Sequence, residues 1–237
     1  MKKLPLIILV AMSVIIFAAS CSLNNNSTSN PSNGGFLVAN ISPDAPPLTL
    51  YSNGAATSIQ NLGTGTYTPY YQATAGSYNF AFYDSASATS PVLSNTINIS
   101  TGANYSYFII DSFSKVKASF VQDFLPSPSP DSVYIRFFNF SPNAGAVSLY
   151  ESSVFDSSFY SNRFFNDQAN TTGLANFVRL KTGSLAYYNF QLKQSDGTVV
   201  ASKLDTLSAG HIYTLFAKGN VEGTGAQAVG IGQILNY

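Results

Sequence analysis

The sequence predicts an all-β protein: two tandem immunoglobulin-like β-sandwich domains behind a signal peptide and a disordered tether. Three observations lead there. Two stretches 99 positions apart nearly coincide, Asn40-Ile-Ser-Pro-Asp-Ala-Pro-Pro-Leu-Thr-Leu-Tyr51 and Asn139-Phe-Ser-Pro-Asn-Ala-Gly-Ala-Val-Ser-Leu-Tyr150. A period of about a hundred residues is too long for a solenoid unit and fits a whole small domain. Short runs of β-branched and aromatic residues are broken by Gly, Pro, Asn and Ser, and only 9% of residues are charged while 14% are aromatic. About seven such runs fall in each copy, the strand count of a small sandwich.

The N-terminus gives an address. Lys2 and Lys3 precede an apolar run from Leu4 to Ala19 that ends in small residues and Cys21. That is a positively charged start, an apolar stretch and a small-residue cleavage site, so residues 1–20 read as a leader. The run is shorter than the ~20 residues of a membrane span. Cys21 is the one cysteine of the chain, so it has no disulfide partner here. Ala18-Ala19-Ser20-Cys21 resembles the lipobox of bacterial lipoproteins, which implies a diacylglycerol on the Cys21 thiol and an outer-membrane anchor facing either the periplasm or the cell surface. Several acyl chains hold such an anchor stably, where one holds marginally. Residues 21–34 are a polar Ser/Asn tract too poor in apolar side chains to pack.

The domains then run 35–125 and 132–237. In the first, strands are expected near 36–41, 47–52, 66–74, 77–84, 91–99, 104–111 and 116–124. Tyr78, Phe80 and Phe82 share one face by alternation, and Asn104–Ile110 becomes apolar on both faces, as a central strand would. In the second, strands are expected near 133–140, 146–151, 175–181, 185–194, 198–207, 211–218 and 226–235. Val133, Ile135 and Phe137 lie together there, with Arg136 opposite. The copies keep matching: Tyr78-Asn79-Phe80 with Tyr188-Asn189-Phe190, the Gly102 to Phe108 run with Gly210 to Phe216, and Val121–Leu125 with Ile231–Leu235. Between them Pro126-Ser-Pro-Ser-Pro-Asp131 favours extended polyproline geometry, a semi-rigid spacer that predicts two beads with limited contact.

Ser42-Pro43-Asp44-Ala45-Pro46, between an apolar strand and Leu48-Thr-Leu-Tyr51, resembles the hallmark of domain of unknown function 4397, whose tandem copies behind a lipobox are familiar in Bacteroidota-like envelopes. The resemblance covers residues 36 to about 236. Asn40 and Asn139 stand where the family often has His, and Thr49 and Ser148 replace its Asp. The resemblance implies fold and envelope location. From the residues themselves, Ser-Pro-Asp is turn chemistry: proline presets φ and Asp or Asn bonds backbone. Asn143 replacing Asp44 argues for a turn over a metal site.

Equipment for catalysis, metals or cofactors is not expected. His211 is the single histidine, placed at the start of a strand, and the eleven acids are scattered. Without the leader, nine basic residues face eleven acidic ones, which is no footprint for nucleic acid. The candidate binding feature is an aromatic segment unique to the second copy, holding Phe155, Phe159, Tyr160, Phe164 and Phe165 around Arg163. Long aromatic loops favour protein or glycan partners; the alternative is that these rings cover the sheet or fill the contact with the first domain. Ser85 and Ser132 match an Asp-Ser-apolar O-glycosylation pattern of Bacteroidota. The resulting expectation is a non-enzymatic envelope lipoprotein presenting two modules to a protein or glycan; the alternative is a structural or assembly component without a small ligand.

Overall fold

Strand β1 (Asn33–Asn40) is buried along both faces, and that fact organises the molecule. The computed structural model describes residues 32–181 and 185–237; the leader, Cys21 and the tether up to residue 31 lie outside the described residues. In the first module β1 is followed by β2 (Leu48–Ser52), β3 (Ala55–Ala56), β4 (Thr66–Tyr67), β5 (Tyr71–Thr74), β6 (Gly76–Asp84), β7 (Ser87–Ile99), β8 (Asn104–Ile110) and β9 (Lys117–Asp123). An inner sheet has the order β4-β1-β8-β9, with β5 also on β1, and an outer sheet has the order β3-β2-β6-β7. The second module repeats this with β10 (Ser132–Asn139), β11 (Val147–Glu151), β12 (Ser157–Arg163), β13 (Val178–Lys181), β14 (Leu185–Gln194), β15 (Val199–Ser208), β16 (Ile212–Lys218) and β17 (Gly230–Leu235). Its inner sheet is β13-β10-β16-β17 and its outer sheet β12-β11-β14-β15.

The all-β architecture and the two sandwich-like modules are as expected. The strand order departs from an immunoglobulin sandwich, which sets four strands against three. Here each module sets two larger sheets together, and the first strand runs parallel to the penultimate one at the sheet centre, β1 with β8 and β10 with β16. Pro69 explains why the expected strand 66–74 is split: lacking an N–H, it interrupts the ladder between β4 and β5. Thr68 fills the gap, its hydroxyl accepting the Val38 N–H at 3.0 Å.

Period-two alternation sorts the side chains. Phe36 and Val38 face Leu48, Leu50, Phe80, Phe82 and Tyr107 in the core of the first module. Val133, Ile135 and Phe137 face Val147, Leu149, Phe190 and Leu215 in the core of the second. The intervening residues of the inner sheets form a third core between the modules. Leu37, Ala39, Ile41, Phe108, Ile110 and Val121 meet Phe138, Phe140, Phe216 and Ile234 there. The protein is therefore a stack of four sheets, outer–inner–inner–outer.

This corrects the expectation of two beads on a strut. The Pro/Ser segment connects modules whose inner sheets share an apolar core, and that core surrounds a buried ion pair. The Arg136 guanidinium stands 2.7 Å from the Asp123 carboxylate, both side chains fully buried. Arg136 Nε donates to Thr214 Oγ1 at 2.8 Å and its Nη2 to Ser106 Oγ at 3.2 Å. The Asp123 carboxylate also accepts from Ser106 at 2.8 Å and from Tyr70 at 2.6 Å, while Asn236 donates to Tyr70 at 3.0 Å. Phe138 and Phe177 cover the guanidinium at 4.8 and 4.5 Å.

Strand pairing also resets one alignment of the repeat. With Tyr105 equivalent to Tyr213, their partners Gln122 and Leu235 become equivalent. Val121 then matches Ile234, and Asp123 matches Asn236, three positions from the match of Val121 with Ile231 read in the sequence.

Candidate binding face

The Ser-Pro-Asp turn is a clamp between loops. Asp44 accepts the Phe113 N–H at 2.7 Å, tying the turn after β1 to the turn after β8. Asn143 does the same in the second module, accepting the Val221 N–H at 2.9 Å. An acceptor oxygen is all the position uses, which is why Asn can replace Asp. The bonds reach across the module, where a bond to the turn's own backbone was expected.

The aromatic segment of the second copy is no free loop. Its centre is β12, paired with β11. Phe155, Phe159 and Tyr160 pack on the second core, and the Tyr160 hydroxyl donates to the Ile135 carbonyl at 2.8 Å; burial raises its pKa. Arg163 is 3% exposed, grips Asp167 with Nη2 at 2.6 Å and donates Nη1 to the Phe137 carbonyl at 2.7 Å. Phe165 packs on the core between the modules, beneath the Lys117 ammonium at 4.5 Å. Phe164 alone of the group is solvent-facing, at 63% exposure. The segment thus covers sheets and cores, with Phe164 as its one ring largely open to solvent.

The acceptor serines separate. Ser132 is fully buried within β10 and its hydroxyl accepts Arg179 Nε at 2.7 Å, so it is no exposed linker site. Ser85 lies in the β6–β7 turn, half-buried, with its hydroxyl 2.8 Å from that of Thr49. His211 makes a 3.2 Å contact with the Ala209 carbonyl and its ring lies 6.1 Å from Tyr213. Among the described residues His211 has no carboxylate partner, and no three His, Cys, Asp or Glu side chains gather to hold a metal. No helix among them is long and apolar enough to cross a membrane.

A concave site does exist, on the outer sheet of the first module. It is a cleft of about 220 Å³ lined by Thr49, Tyr51, Gln60, Asn61, Asp84 and Ser85 among others. Its floor follows from alternation on β2: Leu48 and Leu50 go inward, so Thr49 and Tyr51 go outward. Opposite Thr49 on β6 stands Tyr83, whose ring packs on that of Tyr51 at 4.7 Å. The rim follows from two buried anchors, Ile59 and Leu62. Between them Gln60 and Asn61 are pushed out, with Asn61 in the left-handed region at φ 53°. The carboxylate of Asp84 is engaged by the Ala86 N–H at 2.9 Å. The cleft thus presents hydroxyls, amides and an aromatic face, with no cation among the residues lining it.

Residues 35–150 match the family model described as domain of unknown function DUF4397. This DUF4397 region holds the first module from Gly35 onward and, with it, the cleft. No curated protein matches the chain. Solved structures overlap it loosely. Family 41 carbohydrate-binding modules from streptococcal virulence factors are 11% identical, covering 84% of this chain and 96% of theirs, at a TM-score of 0.26. A family 26 module of Eubacterium rectale Amy13K in complex with maltoheptaose is 10% identical, covering 86% and 95%, at 0.26. A putative cell adhesion protein from Bacteroides eggerthii is 10% identical, covering 90% and 97%, at 0.19. At this extent of overlap the likenesses do not bear on what this chain binds.

The equivalent face of the second module is built differently. Tyr150 corresponds to Tyr51, but Lys193 replaces Tyr83 and sets its ammonium 3.3 Å from the Tyr150 ring centre. β12 pairs with β11 where the first module has the 57–62 segment beside β2, and the Asn162 N–H donates to Ser148 at 3.1 Å. Sequence reading missed the cleft because strand order decides which outward residues become neighbours. The alternation of Leu48-Thr-Leu-Tyr51 was the available signal for its floor.

Proposed function

We propose that the chain is a non-catalytic cell-envelope lipoprotein, held at the outer membrane through acylated Cys21, whose first module binds a neutral glycan in the Tyr51 cleft. The observation that supports this is the cleft's chemistry: a Tyr51–Tyr83 pair beside Thr49, Gln60, Asn61 and Ser85. A sugar ring offers an apolar C–H face for an aromatic ring and hydroxyls for amides and side-chain hydroxyls, a combination that such a surface satisfies. An anionic ligand finds no cation among the lining residues, whose one carboxylate is that of Asp84. Titration calorimetry against neutral oligosaccharides chosen on a glycan array tests the reading. Tyr51→Ala weakens binding about tenfold or more, the usual effect of truncating a central aromatic anchor. Binding that ignores Tyr51→Ala, Tyr83→Ala and Gln60→Ala would place the ligand elsewhere. Fatty-acid labelling that disappears in Cys21→Ala tests the anchor, and protease shaving of intact cells tells which side of the membrane the modules face.

A second reading, a structural component of the envelope, is favoured by one observation. The outer sheet of the second module leaves Tyr187 and Leu204 exposed at 62% and 71% on its solvent face. Such side chains suit contact with a neighbouring protein. Silence on the array together with co-purification lost in Tyr187→Ser/Leu204→Ser would favour that reading over the first.

A further inference from the structure

A sheet edge offers N–H and C=O groups to any strand that arrives, and stable proteins guard such edges with charge, proline, bulges or brevity. Most edges here are guarded. β3 has two residues, β4 and β5 are interrupted at Pro69, and β9 carries Lys117. β12 is irregular, with register shifts against β11. β13 is four residues long and carries Arg179 and Lys181. β15 carries Lys203 and Asp205, paired at 2.6 Å, and Lys203 reaches Gln233 of β17 at 3.2 Å, screening that edge too. β7 differs. It is the longest strand described, 13 residues from Ser87 to Ile99, with no charged side chain. Pro91 and the register shifts on either side of it guard its first part, which leaves Leu93–Ile99 regular and without charge, proline or glycine.

We propose that β7 is a dimerisation edge, where two copies of this chain pair Leu93–Ile97 antiparallel and join their outer sheets into one eight-stranded sheet. The partner is a second copy because an uncharged strand complements itself under a two-fold axis. A register centred on Asn95 sets Ser94 opposite Thr96 on the exposed face and Leu93 opposite Ile97 on the core side, both favourable cross-strand pairs. Asn95 itself is already fixed, accepting the Tyr107 hydroxyl at 2.9 Å, which holds the strand flat against its sandwich. Antiparallel pairing within one sheet requires the two-fold axis to stand perpendicular to it. Both Tyr51 clefts then open on the same side, so a repetitive polymer could engage two at once; that consequence rests on the glycan reading, whereas the dimer does not.

The test is sedimentation of the full-length protein in detergent, with mass corrected for bound detergent. Two chains per particle are expected. Ser94→Lys/Thr96→Lys puts like charges opposite each other and halves the mass, while Ser202→Lys/Thr206→Lys on β15 leaves it unchanged. A wild-type particle with one chain overturns the proposal, as does a dimer that survives the β7 lysines. Should those lysines disturb folding, as read by circular dichroism, amide exchange of the wild-type protein decides. Protection at Leu93–Ile97 must fall on dilution while that of β8 stays, and concentration-independent protection refutes the dimer. Glycan titration of the lysine variant separates the two ideas, since a monomer keeps its single cleft.

Discussion

Asp123→Ala is the sharpest perturbation available to the architecture. The carboxylate receives Tyr70 and Ser106 hydroxyls at 2.6 and 2.8 Å and lies 2.7 Å from the Arg136 guanidinium, all without solvent contact at the pair. Truncation leaves a buried guanidinium uncompensated and two hydroxyls short of an acceptor. Removing one member of a buried pair costs about 3–5 kcal/mol. For a chain of this length each kcal/mol lowers the melting temperature by about 2–4 °C, so the drop is about 6–20 °C. The assay is scanning calorimetry. Because the third core spans both inner sheets, the wild-type protein melts in one transition, and the variant melts in one transition at lower temperature or begins to separate into two. The repeat supplies its own control. The residues equivalent to Arg136 and Asp123 in the other module are Leu37 and Asn236. Arg136→Leu/Asp123→Asn therefore installs a neutral solution that the fold already uses, and it recovers most of the loss, as replacing buried ion pairs by neutral groups often does. A loss below about 1 kcal/mol for Asp123→Ala would refute the reasoning, since the pair would then be contributing no more than a surface contact.

Other substitutions probe single features. Glu151 is fully buried and accepts N–H groups of Val154, Phe155 and Asn189 at 2.8, 2.8 and 2.9 Å. Burial pushes its carboxyl up, yet hydrogen bonds from Ser153, Phe155 and Val154 outweigh that and hold it below its ordinary value. A carboxyl lowered in the folded state adds stability that is complete above its unfolded value of about 4.3 and is lost as pH falls through the folded one. Glu151→Gln should cost about 1.5–3 kcal/mol near neutrality and flatten that acid limb, as read by urea melts across pH. A Cβ at Gly232 would stand 2.2 Å from the Phe216 ring, so Gly232→Ala loses about 1–3 kcal/mol in the same melts through overpacking. Phe164→Ser stays within about 0.5 kcal/mol of wild type, whereas Phe159→Ala loses about 2–4 kcal/mol, which separates the exposed ring from the packed ones.

Local pattern was legible in the chain, and partnership was not. Tyr78, Phe80 and Phe82 alternate cleanly, and the strands carrying them stand within a residue or two of where alternation puts them. The two-faced apolar character of Asn104–Ile110 was visible, but it says only that both faces are covered. It does not say that the second cover is the other module. Arg136 misleads for the same reason. Standing opposite Val133, Ile135 and Phe137, it reads as solvent-facing until the first module's inner sheet supplies Asp123 and Ser106. The aromatic segment defeats periodicity from another side. β12 meets β11 with register shifts around Leu149, so Phe155, Phe159 and Tyr160 all reach the core without an alternating spacing. A bulge inserts a residue and reverses the inward and outward assignment beyond it, and a period-two reading then sees a loop.

Two modules of like strand order offer a way to separate scaffold from function within one chain. Positions where the copies agree are occupied by structure: Asp44 and Asn143 clamp loops, Phe80 and Phe190 fill cores, and Tyr105 and Tyr213 sit at matching ladder positions. The positions where they part carry the individual properties. Arg136 stands where the first module has Leu37 and gives the stack its buried charge. Lys193 stands in place of Tyr83 and β12 in place of the short 57–61 segment, which leaves one open aromatic cleft and one covered tyrosine. The uncharged β7 stands against the charged β15 in the same way. The turn at Asp44 and Asn143 is therefore the wrong place to look for a ligand, because in both modules its side chain is taken up in clamping loops. The differences open to solvent lie on the outer sheets and their edges, and a partner that tells one module from the other must read them there.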